Sequence, residues 1–554
     1  MAASQLQGVI LTAMHNAPAV VVFDVVATIG KRAIWLLNLD IGGRVYRFAS
    51  ESVVVFDAAG IAYSYESGLA PLSLGLDDGS ASKSVSVTLT TDVDWALLAS
   101  QGHALELQPG TLRRWFRGQA LERATVVVVG LTEGARYGAR QDPMTVAIVR
   151  SAYRDSRPML DAQAVVDGQT FPRPVTGYSI SDKAAGASYP LIIGAPGHDP
   201  RANQPRAAVP ALAADFQFGL SDSTLVIADR RIAAVTVMLE NTTLHSFATA
   251  VPVQRRLDEL GREYSYVDFT TAVSQLGGEG DEYYVGFQDD AVFGGGSIHR
   301  GKMVRGAGDV IRFILEEHSD IRYDRGRLEA VIDWLNQYKI DSYINLATEE
   351  AWPWIEREIL RWLQVVVVEG QEGLYLRPMN YAATTTDARM WLSTDRPLRN
   401  VKRDGLLTTI REDIFNEFTF EYRKQREASK YFERRILSAE PKNLTGYDGF
   451  LGAVADERIF AHYLCKRSQA DYGIRPWRGA SGSIWDDATA GLILNGMAER
   501  FTFRKRAARY SGGGELEALE RGDIVVLTDP PVHLDEVLAI VDNRLVSGDE
   551  VALD

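Results

Sequence analysis

Over residues 84–90 the chain reads SVSVTLT, polar and apolar side chains alternating with period two, the pattern of a strand that buries one face. Similar β-branched runs, bounded by Gly, Asp and Ser, recur as VVVFDVVATI, VYRFAS, SVVVF, TVVVVGL and TVAIVR. Residues 1–155 are therefore expected to form an antiparallel sheet or barrel. Prolines then thicken in SRP, FPRP, SYP, GAPGHDP, NQP and AVP, which predicts an extended connector with one short buried strand at Leu191–Ile193. The runs STLVIA, IAAVTVML and YYVGFQ resume the strand pattern.

From residue 302 the period changes. Val310, Ile311, Ile314 and Leu315 make one helical stripe, and Leu328, Val331, Ile332 and Leu335 make a second. EAWPWIEREILRWLQVVVVEGQEGLYLRP follows at 350–378. Glu349 and Glu350 place negative charge at a helix start, and Pro353 suits its first turn. Ile355, Ile359, Trp362 and Leu363 share one face; VVVV, the turn EGQEG and LYLR then predict a strand and a hairpin. Its glutamates are expected at the helix start, on its wet face or in the turn. FTFEY marks a further strand. A last helix is expected from Ser483, with SIWD as a capping box, running through Ala488 and Leu492. AARYSGG, LERGDIVVLTD and EVLAIVDNRLV close the chain as a small β unit. The expected fold is multidomain and mainly β with an inserted α/β module, in units 1–155, 156–301, 302–380, 381–470 and 471–554.

With 554 residues the chain is long enough for about three to five domains. Hydrophobic residues make up 46% and charged residues 24%, which argues against both disorder and a membrane protein. No apolar run approaches the roughly 18 residues that span a bilayer. The first basic residue is Lys31, so no secretory signal is expected, and the chain is read as made in the cytoplasm and soluble. The net charge of −14 disfavours broad attraction to nucleic acid. One basic run, Arg504-Lys505-Arg506, reads as a solvated or ion-paired face. Cys465 is the only cysteine, which excludes an intrachain disulfide and multi-cysteine metal sites; it is expected to be a small buried hydrophobe.

No motif for chemistry survives close reading, and no catalytic, cofactor-binding or metal-binding residue is assigned. Gly296 to Lys302 has the spacing GxxxxGK, but Met303 stands where a hydroxyl would hold Mg²⁺. GAGDVI lacks the third glycine of a dinucleotide fingerprint. GASGSIW puts Ser483 where GxSxG needs glycine. The eight histidines include no pair at zinc-binding spacing, and His318 is expected to complement a helix C-terminus. Asp281 with Glu282, and Asp289 with Asp290, flank YYVGFQ and offer the one carboxylate arrangement that fits a glycosidase, although such pairs more often cap turns.

The order of elements carries a resemblance. The segment from GAGDVIRFILEE to GLYLRP resembles the central α/β module of phage tail hub proteins, which sit at the tail tip beneath the tube. IWDDATAGLILNGMAERFTFRKRAARY, LEALERGDIVVLTDPP and LAIVDNRLV resemble their closing segment, and NEFTFEYRKQREASKYF the strand that returns to the tube-like part. SYPLIIGAPG and LTEGARYG are similar to segments of tail proteins from siphophages and gene transfer agents. By pattern and order the likeness runs over about two thirds of the chain. It implies two tube-like β-barrel or sandwich domains per chain and a homotrimer that presents a pseudo-sixfold ring. Implied partners are the distal tail and tail tube proteins, the tape measure protein and tip or fibre proteins, with DNA passing through the channel without specific binding. The implied location is the virion tail tip, with no cofactor. Two other readings stay open: a tail-associated hydrolase of cell-wall or surface polysaccharide, using Asp281, Glu282, Asp289 and Asp290, and a receptor-binding module.

Overall fold

The computed structural model describes residues 21–553 except 29–32, 71–72, 75–83, 139–141, 151–155, 161–185, 198–208, 217–222, 229–233, 241–242, 258–262, 269–282, 287–297, 300–301, 370–372, 380–383, 396–397, 399, 405, 407, 411–413, 426–429, 439–454, 504, 513–515, 517–518, 520–521 and 548–549. The strand Ala33–Ile41 explains why the N-terminal sheet exists. Its sequence AIWLLNLDI is almost continuously apolar because both faces are covered. Trp35, Leu37, Leu39 and Ile41 point into one core, while Ile34 and Leu36 pack on the other side with Val55, Tyr65 and Trp115. Around it an eight-stranded sheet runs in the order 53–56, 62–67, 44–49, 33–41, 109–116, 125–136, 144–150 and 84–89. Val85, Val87 and Leu89 alternate into the same core, as the period-two reading requires.

A second large sheet, of nine strands, is assembled from both ends of the chain. Val21–Thr28 pairs in parallel with Lys505–Gly512 and with Leu534–Ser547, and antiparallel with Glu550–Leu553. Met390–Ser393 lies at one edge beside Ile524–Asp529. Leu392, Tyr510, Val525, Leu527 and Val541 of this sheet share one core with Trp35, Leu37, Val87 and Ile148 of the first. The two sheets thus bury their apolar faces against each other. A third, seven-stranded sheet is built from strands between 209 and 286. The chain is mainly β, with an α/β core set among the sheets.

That α/β core gathers distant segments. Ala307–Glu317 buries Val310, Ile311, Ile314 and Leu315; Arg325–Leu335 buries Leu328, Ile332 and Leu335. Helix Ala351–Ile355 continues into a π-turn, Glu356–Leu360, closed by Arg361 N–H donating to the Glu356 carbonyl at 2.9 Å. Its predicted face is the buried one: Ile355, Ile359, Trp362 and Leu363, and Trp352 beside them, join Phe418, Phe420 and Tyr422 of Glu417–Gln425 and Ile493 and Leu494 of Asp487–Phe501. Helix Asp487–Phe501 starts later than the sequence predicts. Its N-cap is Asp486, whose carboxylate accepts from Thr489 N–H at 2.8 Å. Ser483 lies ahead of the helix start, and its hydroxyl donates to Glu358 at 2.7 Å. Cys465 is fully buried in this core. Among the described residues no helix is long and apolar enough to cross a membrane.

The hairpin of Val365–Glu369 and Leu374–Pro378 joins the α/β core to the nine-stranded sheet. Val366 and Met379 pack on Ile540, and Arg377 reaches Asp523, a fully buried carboxylate that also binds Arg389 at 3.0 Å. A buried charge without a partner is strongly destabilising, so the two arginines lock this junction. Replacing both Arg377 and Arg389 by alanine is expected to lower unfolding stability by about 3–5 kcal/mol, with a milder loss for either alone, measured from denaturant midpoints.

Candidate functional site

A polar cleft of about 560 Å³ opens in the α/β core between residues 341–349, the turn 354–362, Lys424 and the loop 480–485. Each wall has a local cause. The short strand Ser342–Ile344 pairs with Leu191–Ile193 on one side, and its residues line the cleft. Behind it, Asp341 is fully buried and takes two hydrogen bonds from Arg305, Nε to Oδ1 at 2.7 Å and Nη2 to Oδ2 at 3.0 Å, plus one from Ala195 N–H at 2.8 Å. Gly194, at φ +64°, lets the backbone pass so close that a Cβ would lie 2.3 Å from the Asp341 carboxylate.

The π-turn supplies the second wall. Glu358 is half-buried and accepts from the Ser483 hydroxyl at 2.7 Å; Ser342 Oγ lies 3.0 Å from the same hydroxyl. Arg357 bridges Glu358 at 2.9 Å and Glu349 at 3.0 Å. Desolvation works against the Arg357 charge, but the hydrogen bonds and charges of Glu358 and Glu349 outweigh it and raise its pKa above the ordinary value. One guanidinium thereby offsets one of the two carboxylate charges and hydrogen-bonds both acids within the wall. Among the described residues Ser483 has a carboxylate partner and no imidazole, and the arrangement ties three segments together.

The third wall contains a strained residue. Arg423 sits at φ +57°, its N–H bonded to the Ile484 carbonyl at 3.0 Å and its side chain fully buried, Nε on the Trp485 carbonyl at 2.8 Å and Nη2 3.2 Å from Asp487. A non-glycine residue in this region costs about 1 kcal/mol or more. Tyr422 donates to Asp487 at 2.6 Å, and burial first, then the Asp487 charge, pushes its phenol pKa up. Phe418, Phe420 and Tyr422 alternate into the core, so strand periodicity would bury Lys424 as well. Instead Lys424 is exposed and lines the cleft.

Asp281, Glu282, Asp289 and Asp290, the carboxylates weighed for a glycosidase, lie outside the described residues. Of the phosphate-loop-like run, Lys302–Met303 is a strand paired with Ile298–His299, not the start of a helix. His299 is buried between Glu316, at 3.1 Å, and Glu317. His318 caps helix Ala307–Glu317 and is buried, its Nδ1 2.7 Å from the Met159 carbonyl. Arg504 is outside the described residues. The cleft itself was not signalled by any motif: Glu358 and Arg361, Lys424, and Ser483 come from three separate segments, and the kink at Arg423 breaks the alternation that would have placed Lys424 inside.

No protein-family model matches the chain, and no curated protein matches it. Among solved structures it is similar to a prophage MuSo2 tail protein from Shewanella oneidensis, at 10% identity over 94% of this chain and 96% of that one, with a TM-score of 0.33. It is similar to a chain of a native gene transfer agent virion, at 15% identity over 47% and 80%, TM-score 0.18. A third is prophage tail protein gp18 from Listeria monocytogenes EGD-e, at 10% identity over 66% and 94%, TM-score 0.23. At these scores the overlaps are too loose to assign a function.

The buried Cys465 thiol is pushed up to about 12 by desolvation, from an ordinary value of 9.0. Being neutral in the fold while the unfolded thiol ionises, it contributes stability that is intact below about pH 9 and lost as pH rises toward 12. Native protein is expected to resist thiol alkylation at about pH 8 and to react fully once unfolded, read by mass spectrometry.

Proposed function

We propose that the chain is a structural virion protein, a hub at the phage tail tip that joins the tail tube or distal ring to the tip or central fibre. The observation that carries this reading is the junction at Asp523. The segment that resembles the hub α/β module ends in the hairpin 365–378, and that hairpin is fixed to the nine-stranded sheet by the Arg377–Asp523 pair and the Val366, Met379 and Ile540 contact. The α/β core then acts as a rigid bracket on paired β-sheets, the mechanical part that a ring component needs. The work is done by assembly rather than turnover.

In this reading three copies form a homotrimeric ring at the virion tail tip. The units 1–155 and 381–470 supply its two tube-like parts, 302–380 the bracket, 156–301 the connector and 471–554 the closing segment. Distal tail or tube proteins, the tape measure protein and tip or fibre proteins are the neighbours. The net charge of −14 suits a channel through which DNA passes without sticking.

Light scattering on purified protein across a concentration series is expected to give about three times 61.1 kDa. A strict monomer, alone and with its tube partner, would sink the ring. Replacing Asp281, Glu282, Asp289 and Asp290 by their amides should leave assembly and infectivity intact; loss of a measurable glycan cleavage would instead establish the hydrolase.

A further inference from the structure

Arg113, on the N-terminal sheet, is a half-buried cation without a counter-ion. Burial lowers its pKa, and the group acting against that shift is the Tyr65 phenol, not a carboxylate. The register of the sheet shows what lies around it. On the face shared by Ile34 and Leu36, Leu36 pairs with Arg113 and Asn38 pairs with Arg47. Tyr65 joins the same face; burial raises its phenol pKa, and the charges of Arg113 and Arg47 oppose the rise. The two arginines stand two strands apart, roughly 10 Å across the sheet, so side chains of their length can converge on one group. Among the described residues Arg47 makes no ion pair either, and its guanidinium carbon lies 5.2 Å from the centre of the Tyr63 ring. Asp40, two residues beyond Asn38 on that face, is in register with Val45 and pairs with neither arginine. Tyr65 lies near Asn38, but its hydroxyl and the Asn38 Oδ1 are both buried short of hydrogen-bond geometry. Buried polar groups are normally satisfied, so this face is incomplete as it stands.

Beside it a groove of about 580 Å³ opens between Trp115, the turn 117–120 and the edge strand Val53–Phe56. Trp115 is two residues from Arg113 on the same face of the same strand. Val54 and Phe56 line the groove and are 49% and 54% exposed. The charged groups of the groove are engaged, Arg117 by Glu51 at 2.7 Å and Asp57 by the Ile61 N–H at 2.7 Å. Two uncompensated guanidiniums beside exposed valine and phenylalanine match a protein segment that carries a carboxylate next to an apolar side chain. A nucleic-acid strand, charged at every phosphate, would meet the repulsion of a chain with net charge −14. We propose that this face of the N-terminal sheet docks an acidic segment of a partner protein, a carboxylate meeting Arg47 and Arg113 and an apolar side chain entering the groove of Val54 and Phe56. Such docking does not depend on the chain being a tail hub, and its test is independent of trimer formation.

The probe is a fluorescein-labelled nonapeptide of three Phe-Glu-Gly repeats, titrated with the full-length chain and followed by anisotropy. Saturable binding is expected, weakened at least about tenfold by Arg47→Met with Arg113→Met, and several-fold by Phe56→Ser or by about 0.5 M salt on the unaltered protein. Methionine keeps most of the aliphatic stem and removes a charge that nothing in the fold compensates, so the double variant should melt at or above the temperature of the parent. The glutamine version of the peptide tests the same charges without altering the protein, and it is expected to bind at least about tenfold more weakly. Equal affinity for that version, or affinity untouched in the folded double variant, overturns the proposal. So does the absence of saturable peptide binding, including the case where an oligothymidylate binds in an Arg47- and Arg113-dependent way.

Discussion

Asp523 is a carboxylate with no access to water, and the fold is arranged so that it is never alone. One of its arginines comes from the hairpin of the α/β core and the other from the residue that precedes the edge strand Met390–Ser393. Because truncating the partners of a buried ion leaves an uncompensated charge, the geometry of this pair restricts how the core and the nine-stranded sheet can sit. The apolar contact of Val366, Met379 and Ile540 alone would be non-directional; the ion pair adds orientation.

That sheet is also where the ends of the chain meet. Val21–Thr28 lies among strands from beyond residue 505, so the sandwich with the N-terminal sheet closes only when residues hundreds apart in sequence have met. Contacts of such separation carry a high loop-closure cost and fold slowly, but once formed they tie the two sheets and the α/β core together.

The polar cleft follows from the same economy of constraint. Arg305 with Asp341, Arg357 with two glutamates, and Arg423 with Asp487 are each satisfied locally, and they fix the walls. Among the described residues of the cleft, Arg361 and Lys424 are exposed without a carboxylate partner. The π-turn and the left-handed Arg423 are the backbone cost of that arrangement, held in place by the core on which they rest.

The sequence by itself determined what is periodic. Alternation in SVSVTLT and the stripes of 310–315 and 328–335 announced strands and helices, because burial of one face imposes a period of two or of 3.6 residues. The face of Ile355, Ile359, Trp362 and Leu363 was legible for the same reason, whereas the short strand Leu191–Ile193 was legible from its apolar run among prolines and the burial of Cys465 from its residue type. Only the tertiary structure decided what depends on distant partners. Ser483 looked like a helix cap, but it lies ahead of the helix start with its hydroxyl on Glu358, and Asp486 is the cap. Lys424 belonged by alternation to the core, and the kink at Arg423, anchored on Ile484, Trp485 and Asp487, turned it out to the cleft. Periodicity is a local property of one segment, whereas a hydrogen bond or an ion pair across the fold is known only when both partners are in place.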